Sequence, residues 1–275
     1  MKKVRLAIIV IVLIIAFFRD YLGFDFGQVD DTVTNNQTEQ TTDLNNLDYL
    51  PTTNLGQIMT YDDYFTLSFV NEHRQSEWVA YAVSKADLLK DDFPRPSYFK
   101  TDERVAEQYQ VSHRDYSRSG FDRGHLAPAA DFSWSEEGLE TTFYTTNISP
   151  QTPDFNRGIW KQLEETARDW TMKYGKLYIV TGPVLTEKPK KKSLKKGVPI
   201  TVPHRYYKVI LSYKNNQPIV VGFLFENEGT SKELSTFAVP IDQIEALTGL
   251  DFFSKLPDNI EVDIESKVDL SNWPF

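Results

Sequence analysis

Residues Asn147–Arg168 read NISPQTPDFNRGIWKQLEETAR. From Asn156, steps of four reach Trp160, Glu164 and Arg168. An α-helix would set this amide, indole, carboxylate and guanidinium along one face that drifts gradually around the axis. A purely structural helix places Leu and Val on such a face. Leu163, Ala167 and Trp170 supply the adjacent apolar stripe, Asp154 stands where it can cap the first turn, and Gly175 ends the helix. Taken alone, the spacing also fits an exposed Glu164–Arg168 pair.

A second stretch, GFDRGHLAPAAD at Gly120–Asp131, puts an acid, an arginine, a glycine and a histidine in sequence before small apolar residues. It reads as a loop in which Asp122 and Arg123 set the shape, Gly124 permits a bend, and His125 is displayed. His125 is one of four histidines in the 275-residue chain. An unperturbed imidazole titrates near pH ~6.5, so it can take a proton near neutrality. A polar turn remains the plain alternative for this stretch on its own.

The two stretches together resemble the DNA/RNA non-specific endonucleases, ββα-metal enzymes of the endonuclease G type. The likeness rests on DRGH at Asp122–His125 and on TNISPQTPDFNRGIWKQLE at Thr146–Glu164, with His125 and Asn156 31 residues apart. FPRPSYFKTD upstream, and YIVTGPV, VPHRYYKVIL and LTGLDFFSKLP downstream, extend it over roughly Tyr61–Pro257. The resemblance implies an α+β fold carrying a ββα-metal motif, and cleavage of DNA and RNA with little base preference. His125 would be the general base that activates water. Asn156 would be the one direct protein ligand of a single Mg²⁺, with Mn²⁺ able to substitute, and Glu164 would hold metal-bound water. Arg95 and Arg168 would stabilise the phosphate. Asn147 and Gln151 would support the site, together with Asp122 and Arg123. It also admits a homodimer.

Composition is consistent with these roles. Without cysteine, the chain has no disulfide or zinc-thiolate site, and any metal must sit on oxygen or imidazole, which favours hard ions such as Mg²⁺. The net charge of −9 is unevenly spread. Phe24–Tyr64 carries eight acids and no base, and Ile241–Phe275 carries eight acids and two lysines. The first 23 residues carry +3, which leaves +2 on Phe65–Pro240, so the body can present a positive surface to a polyanion. Between Glu187 and Gly197, Lys188, Lys190, Lys191, Lys192, Lys195 and Lys196 form a basic run; the last five are weak substrate-contact candidates beside the alternative of a solvated loop. His113, Arg114 and Arg118 lie on an approach loop where backbone contact and plain surface are both open. His204 reads as structural or peripheral, and His73 as a surface residue.

Along the chain, Leu6–Phe18 is a run of 13 apolar residues behind Lys2, Lys3 and Arg5. It is too short for an ordinary membrane span and has no small-residue cleavage site after it. Residues 1–23 therefore read as a signal anchor, or a signal peptide if cleaved, with the body anchored outside the cytoplasm or secreted. Residues 24–60 read as a disordered acidic linker, and 61–275 as the nuclease domain. Strands are expected in SEWVAYAVSK, GKLYIVTGPVL, HRYYKVILSY and QPIVVGFLFEN, and helices after Asn156 and in PIDQIEALTG. Because strands and helices do not alternate, the fold class is α+β with a mainly antiparallel central sheet flanked by helices. Two other functions stay open at this level: hydrolysis of another phosphodiester polymer, or an inactive membrane-tethered module that binds nucleic acid.

Overall fold

In residues Gln75–Ser84 the side chains alternate between two buried environments, and this alternation organises the whole sheet. Trp78 and Ala80 join one apolar cluster, whereas Val79, Tyr81 and Val83 join another. A computed structural model describes residues 49–52 and 55–275. Among them β1 (Gln57–Tyr61), β2 (Phe65–Val70), β3 (Gln75–Ser84), β6 (Lys176–Pro183), β7 (Arg205–Lys214), β8 (Gln217–Glu226) and β9 (Ala238–Val239) form a seven-stranded sheet in that spatial order. Every neighbouring pair is antiparallel. β4 (Asp122–His125) and β5 (Ile148–Gln151) pair separately as a two-stranded ribbon. The architecture is the α+β class expected from the sequence.

Helices cover both faces, so the central strands have few exposed residues. Short helices α1 (Lys85–Leu88) and α2 (Glu136–Thr141) precede the long α3 (Lys161–Tyr174). α3 lays Leu163, Ala167 and Trp170 on the face that carries Val79, Tyr81, Tyr206, Ile210 and Phe223. Gly175 closes α3 at φ +88°, where a side chain would be strained. On the opposite face α4 (Ile241–Thr248) contributes Ile241 and Ile244, followed by Leu250, Phe252, Phe253 and Leu256, and then α5 (Asp258–Glu265). Trp273 packs edge-on against Trp170 at 4.9 Å, and its indole N–H donates to the Val220 carbonyl, which fixes the last residues to α3 and β8.

Several expectations change. The folded body begins before Tyr61, because β1 needs Gln57–Tyr61 to pair with β2 and Tyr49 packs on Tyr178 at 4.8 Å. The expected signal segment, and the linker as far as residue 48, lie outside the described residues. Among the described residues no helix is long and apolar enough to cross a membrane. The DRGH stretch is a strand and not a loop, since each of its residues has a register partner on β5. Asp154 is not a cap: Thr152 holds the cap position, Pro153 occupies the first turn, and Asp154 follows it. His73 is half-buried, with Nδ1 2.9 Å from Thr201 Oγ1.

Asp102, 2% exposed, anchors the segment that leads into the ribbon. Arg104 donates to both of its oxygens at 3.0 Å, Thr146 donates at 3.1 Å, and the Tyr61 hydroxyl donates as well. These donors outweigh burial and hold the carboxyl below its ordinary value. A depressed carboxyl contributes stability above the unfolded value of about 3.9 and loses it as acid protonates the folded form. Asp102→Asn is expected to lower stability by about 2 kcal/mol at neutral pH, a figure moderated by the half-exposed arginine. Urea melts should show the gap between variant and parent closing below about pH 4.

Candidate active site

The ribbon and the start of α3 meet at a cleft of about 390 Å³ lined by Arg95, Arg123, His125, Asn156, Arg157, Lys161, Glu164 and Arg168, with Pro128–Ala130 as its floor. All four proposed catalytic residues and the proposed metal ligand are in this set. Five cationic side chains face it, so the cleft suits an anionic substrate. Asn147 and Gln151 are wholly buried, behind the cleft lining. Asn147 accepts from the Ala127 amide at 2.9 Å and donates to the carbonyls of Ala127 and Thr142, each at 2.9 Å, thereby fixing the turn after His125.

Asn156 reaches the cleft because the helix departs from α geometry. A single turn, Pro153–Phe155, runs into a π-helical segment, Asn156–Trp160, where Gly158 departs from helical angles at φ −103° and ψ −113°. The extra residue in that turn breaks the expected four-residue ladder. Trp160 is not on the polar face: it is wholly buried against Phe155, Tyr206 and Phe225. Beyond it, α3 is regular, and Glu164 and Arg168 share a face as expected.

Asp122 ties the ribbon to this segment. Its Oδ2 accepts from Asn156 Nδ2 at 3.0 Å and from Arg157 Nε at 2.8 Å, while Oδ1 accepts from Arg157 Nη2 at 2.7 Å. With Nδ2 engaged, Asn156 has its Oδ1 left to face a cation, and this oxygen donor suits Mg²⁺. Asp122 therefore does more than shape a loop, because it orients the proposed metal ligand. Arg123 donates to the His113 carbonyl at 2.6 Å through Nη2 and lies over the Phe99 ring at 5.4 Å.

His125 sits between Phe99 and Phe143, at 5.5 and 5.0 Å between ring centroids, and its Nε2 is buried without a hydrogen-bond partner. Burial first, and then the Arg95 charge, push the imidazole down to about 3. It is thus neutral, the form a base requires, across the neutral range. Arg95 itself lies 5.1 Å over the Phe143 ring. Arg168 pairs with Asp131 at 2.9 Å, so the surface Glu164–Arg168 pair that spacing also allowed is not the arrangement found. Asp131 is 2% exposed, and burial raises its carboxyl despite Arg168.

Beneath the cleft is a charge that the sequence reading missed. Lys208 of β7 is wholly buried, with Nζ 4.7 Å from the Trp160 ring centroid and no hydrogen-bond partner. Its charge favours the ionised form of Glu164, whose carboxyl burial holds above the ordinary range; the same burial depresses Lys208. A lysine in the apolar run YYKVIL was the available signal, and Asp131, the last residue of the motif at Gly120–Asp131, was another. Arg157 and Lys161 had none beyond their charge.

The lysine run is folded onto the body and does not line the cleft. Leu194 is buried with Val111, Tyr116 and Ile200. Lys190 bonds Glu228 at 2.6 Å, Lys191 lies 4.8 Å over the Phe121 ring, and Lys195 donates to the Arg114 and Ser117 carbonyls at 3.1 and 2.9 Å. Lys192 and Lys196 are exposed. His204 pairs with Glu226 at 2.9 Å on the surface.

A model of the DNA/RNA non-specific endonuclease family matches residues 45–259. The chain is similar to a mitochondrial nuclease of Saccharomyces cerevisiae, 37% identical over 213 residues that cover 70% of this chain and 64% of the other. It is also similar to a nuclease of Nostoc sp., 33% identical over 77% of this chain and 81% of that one. Human mitochondrial endonuclease G is 33% identical over 72% of this chain and 70% of its own. The chain spans about six tenths of the length of the nucleases of Saccharomyces cerevisiae and Schizosaccharomyces pombe that it matches, at 64% and 59%. Among solved structures, a chain from the crystal structure of the EndoG/EndoGI complex matches with a TM-score of 0.67 at 29% identity, covering 74% of this chain and 88% of that one.

Gly124 serves close approach and not the expected bend. A Cβ there would stand 2.1 Å from Gln151 Oε1, and Gln151 is wholly buried. Gly124→Ala is expected to cost about 1–3 kcal/mol by overpacking, read by thermal unfolding. Trimming the obstacle in a Gly124→Ala/Gln151→Ala double variant should recover part of that loss; strict additivity of the two single effects would show that the clash is not the cause.

Proposed function

This chain belongs to the DNA/RNA non-specific endonuclease family, and we propose that its cleft hydrolyses internal phosphodiester bonds of DNA and RNA, with one Mg²⁺ and His125 as general base. The observation that carries the proposal is the convergence of His125, Asn156, Glu164, Arg95 and Arg168 on one cationic cleft. The donor set fits a hard cation: a carboxamide oxygen oriented by Asp122, with a carboxylate nearby and no thiolate. When bound, Mg²⁺ (or Mn²⁺ in its place) supplies charge that stabilises the phosphate and the leaving oxygen in the transition state.

The side chains would act as follows. The neutral imidazole of His125 accepts a proton from the water that attacks phosphorus. Phe99 and Phe143 limit its rotation. Arg168, fixed by Asp131, and Arg95, laid over Phe143, present fixed donors to the phosphate oxygens. Asp122 keeps the Asn156 amide from rotating. Glu164 orients water in the cleft, and Lys208 behind it favours the ionised carboxylate. With this complete set in place, a catalytically silent binding module is disfavoured.

A plasmid-nicking assay tests the reading. Nicking is expected with MgCl₂, none with EDTA, and a loss of about 10²–10⁴-fold in His125→Ala with an unchanged thermal melt. Full activity of that variant would exclude the assigned base. The pH profile gives a second test. His125 is already neutral at neutral pH, whereas Glu164 is raised, so activity should climb with pH as Glu164 ionises, above the ordinary Glu value of about 4.3. Lys208→Met removes a charge that favours ionisation, so this limb should move to higher pH. A stationary limb would detach Lys208 from the site.

A further inference from the structure

On the sheet face opposite α3, three carboxylates from two helices converge. Asp242 and Glu245 of α4 and Glu265 of α5 bring one oxygen each to within 4.8 Å of one another. They are graded from outside to inside: Asp242 is exposed, Glu245 is half-buried, and Glu265 is only 4% exposed. Glu265 Oε1 is buried with no hydrogen-bond partner, and its carboxylate is one of the three that meet here. A buried, unpaired carboxylate oxygen is destabilising unless something positive or protic meets it.

Among the described residues, no side chain in the vicinity meets that need. The charges acting most on Glu265 all belong to acids: Glu245, Glu261, Asp242 and Asp251. Lys267, two residues on, holds its Nζ on Asp263 at 2.6 Å. Glu245 is held in place, because it accepts the Phe252 amide at 2.8 Å and so links α4 to the loop that follows it. The cluster is therefore partly preorganised, with one fixed oxygen, one buried oxygen and one exposed oxygen at the rim. Ile241 and Ile244 of α4 pack into the core and Ile264 of α5 packs against it, so neither helix can swing away without breaking that packing.

We propose that Asp242, Glu245 and Glu265 form a second, structural cation site that binds Ca²⁺ and clamps α4 to α5. The ligand chemistry is all carboxylate oxygen, which hard cations prefer. Oxygens up to 4.8 Å apart fit around an ion whose bonds run about 2.3–2.6 Å, and Ca²⁺ accepts the irregular geometry and the waters that would complete its shell. The site is separate from the catalytic cleft, and the inference does not depend on the nuclease reading.

Binding is tested on the full chain carrying Asn156→Ala, which disables the cleft as a metal site. After EDTA treatment, calorimetric titration with CaCl₂ should show uptake of about one equivalent. Saturating CaCl₂, about 100-fold above Kd, should raise Tm by about 5 °C. Adding Glu265→Gln or the exposed Asp242→Asn should abolish both responses. In EDTA, Glu265→Gln should melt no lower than its parent, because it removes the repulsion while keeping the shape. Absence of calcium uptake by the parent, or undiminished uptake in both added variants, would overturn the proposal; Asp242→Asn keeps the test valid should the buried substitution impair folding.

Discussion

A hydrogen bond between Asp122 and Asn156, backed by two more from Arg157, ties the ribbon to the helical segment that follows it. Asp122 belongs to a two-stranded ribbon, and Asn156 to a π-helical segment. The carboxylate also takes both branches of Arg157, so it is saturated by donors and held below its ordinary range. Its effect is directional. An amide free to rotate offers a cation either nitrogen or oxygen, whereas one whose nitrogen is engaged offers oxygen. His125 reaches the same cleft from the other end of the ribbon, and Glu164 and Arg168 reach it from the first turns of α3.

Behind this frame the protein keeps charge in its interior. Asp131, Glu164, Arg168 and Lys208 form a partly buried array against the sheet, with Tyr81 and Trp160 as neighbours. Replacing such an array with apolar residues often stabilises a fold, so stability alone gives no reason to keep it. A reason does exist if Glu164 must be ionised and Arg168 must be rigid at the cleft. The aromatic walls contribute in the same sense, because Phe99 and Phe143 flank the His125 ring and its burial keeps it neutral.

Much of this was legible in the sequence, and the limits have physical causes. The long central strands announced themselves through β-branched and aromatic residues, and α3 through its apolar stripe and terminal glycine. His125, Asn156, Glu164 and Arg168 were legible because two motifs each carried chemistry unsuited to a core, whereas Arg95 came only with the family resemblance. What misled was periodicity across Gly158: the four-residue step assigns Trp160 to the polar face, yet one added residue in the turn sends the indole inward. DRGH looked like a loop because its side chains are polar, but its partner strand ISPQ makes it a ribbon, and pairing is not visible in either segment alone. Lys208 and Asp131 matter through what surrounds them, and a one-dimensional reading does not contain those neighbours.

The π-helical turn has a further consequence. Asn156 and Glu164 are aligned by the number of residues between them and by the way one turn accommodates its surplus. Removing a single residue at Gly158, which carries the non-helical angles of that turn, would let it relax to ordinary α geometry. The core residues of α3 would stay in place, while Asn156 would rotate by about 100° around the helix axis. Chain length in this turn thus acts as a register mark, and a one-residue deletion would separate a folded protein from an assembled cleft without changing any residue of the cleft.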